Sequence, residues 1–302
     1  MAFWIVTDAC CDLPTSYIRQ QKDFIVVPMA YQIGGEEKLH DLTRDDCAQT
    51  TQQFYDRLEQ GETSTTSQIN QLTWMEQLEP LCKRGDDVLV LAFSSGLSGT
   101  CQAAMLAGQD LRRKYPDRKI FVLDSLCASM GEGLAVHYAL QYRDAGHDAE
   151  ETAVYMQQQR MRCCHWFTVN DLHFLRRGGR VKATSAYLGS MLKIKPILNV
   201  DPKGHLIPRQ KVQGRKHSLR SLFEKAQELA DHPEQQTMFI SHSACEKDAQ
   251  ALADKLQSEQ HVPHVLLSTI SPIIGTHTGP GTVALFFVDK NGEGRMDAPE
   301  ED

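Results

Sequence analysis

The segment Asp87-Val88-Leu89-Val90-Leu91-Ala92-Phe93-Ser94-Ser95-Gly96-Leu97-Ser98-Gly99-Thr100 joins an apolar run to a loop of serines and glycines. An apolar run of this length between polar segments is typical of a strand buried on both faces of a parallel sheet. The small residues that follow the loop, Ala103, Ala104 and Ala107, indicate a closely packed helix. The segment therefore predicts one strand-loop-helix unit of an α/β protein.

The first half of the chain repeats this alternation. Short apolar, β-branched runs predict strands over residues 3–7, 24–28, 87–93 and 120–124, and longer periodic segments predict helices near 14–21, 44–60, 71–83, 98–115 and 130–144. The alternation is typical of a mostly parallel sheet with crossover helices. Ligands collect outside the carboxyl ends of such strands, so the loops after Thr7, Phe93 and Leu123 should lie close together.

The pattern changes at about residue 150. The second half predicts a helix, a strand over 166–169, a break at Gly178-Gly179, another helix, and paired strands around the turn Asp201-Pro202-Lys203-Gly204. Helices over 216–231 and 246–257 flank a strand over 237–241, and a last strand covers 283–289. We therefore expect an N-terminal α/β lobe over 1–150, a second lobe of helices and strands over 151–290, and an acidic tail over 291–302.

Composition narrows the class of protein. The 302 residues carry 32 basic and 39 acidic side chains, a formal net charge of −7, which does not indicate nucleic-acid binding. The apolar runs are far shorter than the roughly 20 residues of a membrane span. The first residues resemble a strand rather than a signal peptide, so we expect a cytoplasmic protein.

Nine cysteines include the adjacent pairs Cys10-Cys11 and Cys163-Cys164, which is poor spacing for a disulfide framework or for paired zinc ligands. We interpret them as reduced thiols that fill the core. A redox or metal role around Cys163-Cys164-His165 is the alternative.

Three segments together predict an anion site. The loop 94–100 offers hydroxyls, flexible backbone and the N–H groups of a helix start, and so favours a carboxylate or a phosphate. The segment 63–68 is a second hydroxyl cluster, and His277-Thr278-Gly279-Pro280-Gly281 places an imidazole in a rigid turn. Taken singly, the serines and glycines are also explained as a helix cap, but jointly the three segments could donate hydrogen bonds to one carboxylate.

The same groups suggest a serine hydrolase with Ser95 or Ser98 as nucleophile, His277 as base and Asp124 as the orienting acid. Neither serine has glycine two residues away on both sides, as a nucleophile elbow requires. No lysine follows Gly99, as a phosphate-binding P-loop would need. Hydrolysis remains the alternative function, beside a protein-interaction module.

Two further groups of charged residues have a structural and a functional interpretation. The segment 171–180 sets Arg176, Arg177 and Arg180 around Gly178-Gly179, either as solvated surface or as a fixed guanidinium for an anionic partner. Asp8 and Asp12 follow the first strand, where they cap a helix or bind a cation.

Several short motifs resemble those of the DegV family in order and spacing. In the first half they are Ile5-Val6-Thr7-Asp8, Asp12-Leu13-Pro14, Val26-Val27-Pro28, Thr66-Ser67-Gln68 and the 94–100 loop. In the second half they are Asp124-Ser125, Asp171-Leu172, Gly178-Gly179-Arg180, Lys195-Pro196-Ile197-Leu198 and Gly275 through Gly281. The resemblance implies a two-lobed α/β fold, with a parallel sheet in the first lobe and a mainly antiparallel sheet in the second.

The resemblance also implies a function. A long-chain fatty acid is held between the lobes without catalysis, cofactor or metal, and is presented to a separate fatty acid kinase subunit. Thr66 and Ser95 hold the carboxylate, with the Gly96 amide and His277 close by. Arg180 matches an arginine linked to phosphoryl transfer in the partner complex, whereas Gln213 stands where many members carry a second arginine and Arg215 lies two residues on.

The acyl tail needs an apolar tunnel. Met191, Leu192, Ile194 and Ile273 are candidates for its lining, although the sequence does not distinguish a tunnel wall from ordinary core.

Overall fold

The computed structural model describes residues 3–181 and 194–295. The strands are β1 (Phe3–Asp8), β2 (Phe24–Val27), β3 (Met29–Ile33), β4 (Glu36–His40), β5 (Ser64–Thr66), β6 (Asp87–Ala92), β7 (Ile120–Asp124), β8 (Cys163–Thr168), β9 (Ile194–Val200), β10 (Leu206–Gln213), β11 (Thr237–His242), β12 (His264–Thr269) and β13 (Val283–Val288). The helices are α1 (Thr15–Ile18), α2 (Cys47–Glu59), α3 (Gln71–Arg84), α4 (Thr100–Lys114), α5 (Met130–Asp144), α6 (Ala149–Gln159), α7 (His173–Arg177), α8 (Arg215–Leu229), α9 (Glu246–Gln260) and α10 (Pro272–Thr278).

The first sheet is parallel throughout, in the order β2-β1-β6-β7. Strand β6 is buried over all but its first residue, as an unbroken apolar run predicts for a central strand covered on both faces. The fold expected for the first half is confirmed. The loops after the strands also meet, because Asp8 accepts a hydrogen bond from the Phe93 amide at 3.0 Å and Asp124 accepts one from the Ser95 amide at 3.1 Å.

A small antiparallel sheet, β4-β3-β5, was not expected from the sequence. Only Pro28 separates the end of β2 from the start of β3. Strand β4 is largely exposed, and its polar sequence carries little strand signal. The turn between β3 and β4 contains Gly34 and Gly35 at φ 56° and 83°, a left-handed conformation that glycine adopts without strain. This sheet matters because β5 carries Thr66.

The second sheet has the order β10-β9-β8-β13-β11-β12. Neighbouring strands are antiparallel except β11 and β12, so the mainly antiparallel sheet expected for the second half is confirmed. Helices α8 and α9 cover one face, and Leu222 of α8 and Leu252 of α9 pack into its apolar cluster. The other face, which includes Phe167 and Phe286, belongs to the same apolar cluster as the first sheet.

Helix α5 lies between the two sheets and contacts β1 and β6 on one side and β8, β11 and β13 on the other. Helix α6 packs on β6 and β7 of the first sheet. The lobe boundaries given above stay a prediction, and the acidic tail beyond residue 295 and the helix expected after Gly179 fall outside the described residues. Within residues 3–181 and 194–295, every helix is too short or too polar to cross a bilayer.

Candidate ligand-binding site

A cavity of about 350 Å³ lies between the carboxyl ends of the first sheet and the inner face of the second. Ligand sites commonly fall between about 300 and 1,000 Å³. Most of the wall is apolar. The apolar side chains are Met29, Phe93, Leu97, Ala128, Phe167, Leu175, Val200, Leu206, Ile270, Ile273, Ile274, Ala284 and Phe286.

One end of the cavity is polar and open. Thr66 Oγ1 lies 2.9 Å from His277 Nε2, which joins β5 to the last turn of α10. A second bond, between Ser64 Oγ and Thr276 Oγ1 at 2.7 Å, fixes the same two elements. Ser67 and Gln68 line this end and are exposed, so a polar group bound here is close to the protein surface.

Gly178 explains how the His277 ring is placed. A Cβ atom on Gly178 would lie 2.3 Å from His277 Nδ1, so only glycine leaves room for the imidazole. Burial lowers the pKa of His277 to about 4, and the positive charges of Arg180 and Arg177 act in the same direction. The ring is therefore neutral at neutral pH, and among the described residues its buried Nδ1 atom has no hydrogen-bond partner.

Arg180 lines the same end of the cavity. Its Nε donates to the Leu97 carbonyl at 3.1 Å and its Nη1 to the Gly178 carbonyl, and Nη2 has no partner among the described residues. Burial lowers the pKa of Arg180 from its ordinary value, but a guanidinium stays charged at neutral pH. The polar end thus combines one cation with neutral donors, the arrangement that a carboxylate requires.

The 94–100 loop places its two candidate serines differently. Ser98 lines the cavity, and its Oγ accepts from the Thr100 amide at 3.2 Å at the start of α4. Ser95 is exposed and is not among the lining residues.

Gly96 faces away from the cavity, toward the β9–β10 turn. A Cβ atom on Gly96 would lie 2.8 Å from the Lys203 carbonyl oxygen, so glycine is required for this contact. The Gly96 amide donates to Ser94 Oγ at 3.2 Å, and that hydroxyl in turn donates to the Gly204 carbonyl at 2.9 Å.

In the described part of the chain, no side chain of the hydrolase alternative hydrogen-bonds to another of its side chains. His277 contacts Thr66, and Ser98 contacts Thr100. Asp124 accepts from the amides of Ser95 and Leu126. This arrangement does not supply the nucleophile, base and acid of a triad.

Arg215 lies outside the cavity lining. Its Nε donates to Asp248 at 2.7 Å and its Nη2 to Cys245 Sγ at 3.4 Å, while Nη1 is buried without a partner among the described residues. Gln213, at the end of β10, is exposed.

The other end of the cavity is lined by Cys10, Ser129 and His165, and a group of buried carboxyls lies behind it. Asp8 accepts from the Cys10 amide at 3.0 Å and so caps the short helix Ala9–Cys11. Asp12 accepts from Ser129 Oγ at 2.5 Å and from the Ser271 amide at 3.0 Å. Burial raises the pKa of Asp12 to about 7. Both aspartates therefore join neighbouring elements of the core.

The residues predicted to line the acyl tunnel differ in where the structure places them. Ile273 lines the cavity, whereas Ile194 is not among the lining residues. Met191 and Leu192 lie outside the described residues. The sequence did not place the polar side chains of Arg180 and His165 in the cavity wall. The alternation along β8, which turns His165 to the same face as Phe167, is a signal that would have found His165.

Fold and cavity together define a two-lobed α/β protein with an internal ligand cavity. The family model described as "Uncharacterised protein, DegV family" matches residues 2–290. The chain belongs to the DegV family, which confirms the resemblance seen in its motifs.

The chain is also similar to individual members of the DegV family. A DegV domain-containing protein of Clostridium perfringens is 38% identical over 286 residues, which cover 95% of this chain and 97% of the relative. A DegV lipid-binding protein of Thermotoga maritima is 28% identical, with a TM-score of 0.82 over 96% of this chain and 100% of the other. A DegV family protein of Thermus thermophilus, described by its fatty acid binding, is 26% identical, with a TM-score of 0.84 over the same shares.

Proposed function

We propose that this protein binds one long-chain fatty acid, with the acyl chain in the apolar part of the cavity and the carboxylate at the polar end. The observation that carries the proposal is a largely apolar cavity that ends at Thr66, His277 and Arg180. The lipid-binding and fatty acid-binding relatives from Thermotoga maritima and Thermus thermophilus support the same ligand class.

The polar end supplies what a carboxylate needs. A carboxylate removed from water is costly unless charged or hydrogen-bonding groups replace the lost solvent. In the proposed complex His277 Nε2–H donates to Thr66 Oγ1, the Thr66 hydroxyl donates to the carboxylate, and Arg180 Nη2 supplies the positive charge. The neutral state of His277 is consistent with this order, because the ring then serves as a donor and keeps Nδ1 unprotonated.

The apolar wall supplies most of the affinity. Each methylene transferred from water into an apolar site contributes about 0.8 kcal/mol. A long acyl chain therefore gains far more than a short one, and the protein should prefer long chains with the same head group.

Thr66→Val is expected to weaken fatty acid binding by a factor of about ten to about a hundred. The change keeps the shape of the side chain and removes one hydrogen bond to a charged group, which is worth about 1.5–3 kcal/mol. The measurement is a titration of delipidated protein with a long-chain fatty acid. Thr65→Val is the matched control, since Thr65 is the exposed neighbour on the same strand.

The loop serine is assigned by a second pair of variants in the same titration. We expect Ser98→Ala to weaken binding and Ser95→Ala to leave it unchanged, because only Ser98 lines the cavity. The reverse result would assign the carboxylate contact to Ser95 and its neighbour Gly96. Equal affinity for the wild type, Thr66→Val and both serine variants would contradict a carboxylate site at this end.

We propose in addition that the bound carboxylate is presented to a partner kinase. The polar end lies beside the exposed residues Ser67 and Gln68, so the head group is within reach of a docked protein while the tail is enclosed. Arg180 is the cation at this opening. Arg215 is paired with Asp248, so a phosphotransfer role for it requires that this ion pair opens.

A further inference from the structure

Four side chains form a second polar group behind the cavity: Cys127, Cys163, His165 and Arg295, called here the Cys127 cluster. Cys127 follows β7, Cys163 and His165 lie on β8, and Arg295 lies after β13. The fold therefore joins residues that are up to 168 positions apart. Fatty acid binding as proposed above does not use this cluster.

Arg295 is a fully buried cation, with 1% of its surface exposed. Its Nε donates to the Cys163 carbonyl at 2.9 Å, its Nη1 to the Leu126 carbonyl at 2.8 Å and its Nη2 to Cys127 Sγ at 2.9 Å. No described carboxylate forms an ion pair with it. A buried charge without a counter-charge is costly, so a nearby acidic group should ionise. The acid in direct contact with Arg295 is the thiol of Cys127.

The surroundings of Cys127 Sγ favour its thiolate. Burial raises the pKa of the Cys127 thiol, but the neighbouring Cys163 side chain and the charge of Arg295 more than offset this, so the pKa lies well below its ordinary value. The nearby His165 ring bonds to the chain around Cys127, because its Nε2 accepts from the Ala128 amide at 3.2 Å and its Nδ1 lies 2.9 Å from the Cys163 carbonyl oxygen. Cys163 keeps its proton, because the neighbouring Cys127 side chain and burial raise the pKa of Cys163. Its thiol donates to the Gln159 carbonyl at 3.7 Å.

Among the described residues, no cation hydrogen-bonds to the thiols of Cys101 and Cys10. Burial raises the pKa of Cys101 to about 12, and burial and nearby carboxyls raise the pKa of Cys10 well above its ordinary value. Cys10 even lines the cavity. A reagent that reacts with thiolates should therefore distinguish Cys127 from these two.

The Cys127 cluster borders the ligand cavity. Ala128, Ser129 and His165 line the cavity wall, and His165 Nε2 accepts from the amide of Ala128, the residue after Cys127. Cys127 is thus one residue along the chain from the cavity wall.

We propose that Cys127 is an oxidation site that reacts with hydroperoxides reaching it through the cavity, with Cys163 as the thiol that resolves the product into a disulfide. The Cys127 thiolate attacks one oxygen of the hydroperoxide, the O–O bond breaks, and the other oxygen leaves as an alcohol or water after taking up a proton. The Cys163 thiol then attacks the sulfenic sulfur, the S–O bond breaks, and water leaves as the S–S bond forms. Two thiols lose two electrons and two protons, and the hydroperoxide takes up both.

The reactive chemistry is the O–O bond, which hydrogen peroxide and a fatty acid hydroperoxide share. The experiment with a fatty acid hydroperoxide rests on the proposed function, whereas the experiment with hydrogen peroxide does not. Oxidation by hydrogen peroxide alone would place the source in solution, and faster oxidation by linoleic acid hydroperoxide would place it in the bound lipid. The two arms thus separate failure of the lipid proposal from failure of the oxidation site.

The test is a titration of the reduced full-length protein with each peroxide, followed by mass spectrometry of its peptides. We expect the Cys127–Cys163 disulfide to form before any other cysteine is modified, at a rate nearly independent of pH between about 6 and 9. A protonated thiol would instead react about tenfold faster for each pH unit in that range. Simultaneous oxidation of many cysteines, or such a rise with pH, would overturn the proposal.

Four variants make the result specific. Cys163→Ser should stop the reaction at a sulfenic acid on Cys127, which dimedone traps. Arg295→Met should slow oxidation at least tenfold and restore the pH dependence of a protonated thiol, whereas Arg295→Lys should keep most of the rate. Cys101→Ser is the matched control and should behave as the wild type. If Arg295→Met does not fold, the pH profile of the wild type and Arg295→Lys decides, and dimedone labelling of another residue in Cys163→Ser contradicts the site.

Discussion

Ala284→Phe is expected to weaken binding of long-chain fatty acids about a hundredfold. Ala284 lies on β13 with its side chain in the cavity, beside Phe286 on the same strand and opposite Phe167 on β8. A phenyl ring here takes the space of several methylenes of the acyl chain. Losing about four buried methylenes at about 0.8 kcal/mol each removes about 3 kcal/mol, which corresponds to two orders of magnitude in affinity.

The measurement is a pair of titrations, with a long-chain acid and with octanoate. Octanoate has the same head group and needs less of the cavity, so its weak binding should change much less than that of the long acid. Thermal unfolding of the variant checks that the larger side chain fills the cavity without disrupting the core. Equal loss for both acids would place the acyl chain elsewhere.

Between pH 4 and pH 8 the wild type is expected to lose about 4 kcal/mol of stability that the Asp12→Asn variant keeps. The pKa of Asp12 is raised from 3.8 to about 7 by burial in the folded protein. Between pH 3.8 and about pH 7 the folded protein therefore keeps a proton that the unfolded chain has lost. The contribution of this proton to stability is complete below about pH 4 and is lost as the pH rises through 7. A shift of about three pKa units corresponds to about 4 kcal/mol.

Asparagine carries no titrating proton and still fits the hydrogen bonds. Its carbonyl accepts from the Ser271 amide, and its NH₂ group donates to Ser129, whose hydroxyl turns to Ser241 at 2.8 Å. The measurement is chemical unfolding of both proteins at the two pH values. Asp45→Asn is the control, because the Asp45 side chain is 90% exposed and should change stability by less than about 0.5 kcal/mol at either pH. A difference between Asp12→Asn and the wild type that does not depend on pH would show that Asp12 is ionised in the folded state.

Elements with a strong and regular pattern were predictable from the sequence. The apolar run that became β6 and the periodic segments that became α3, α4 and α5 agree with the structure to within two residues at each end. The meeting of Thr66 and His277 was implied by the family motifs rather than by periodicity, since the two residues are 211 positions apart.

The unpredicted features depend on tertiary contacts. Strand β4 is polar and exposed, and β12 is only partly buried, so neither has the clear alternation of a half-buried strand. Arg180 lines the cavity because two backbone carbonyls, of Leu97 and Gly178, hold its guanidinium. Arg295 contacts Cys127 because the segment after β13, which carries Arg295, lies beside β8.

Mass spectrometry of the lipid released from the purified protein tests the central claim most directly. The protein is denatured, extracted with organic solvent and compared with the Ala284→Phe variant prepared in the same way. The account predicts about one long-chain fatty acid per wild-type chain and little or none in the variant. A wild-type extract without fatty acid, from protein that also fails to bind added fatty acid, would contradict it.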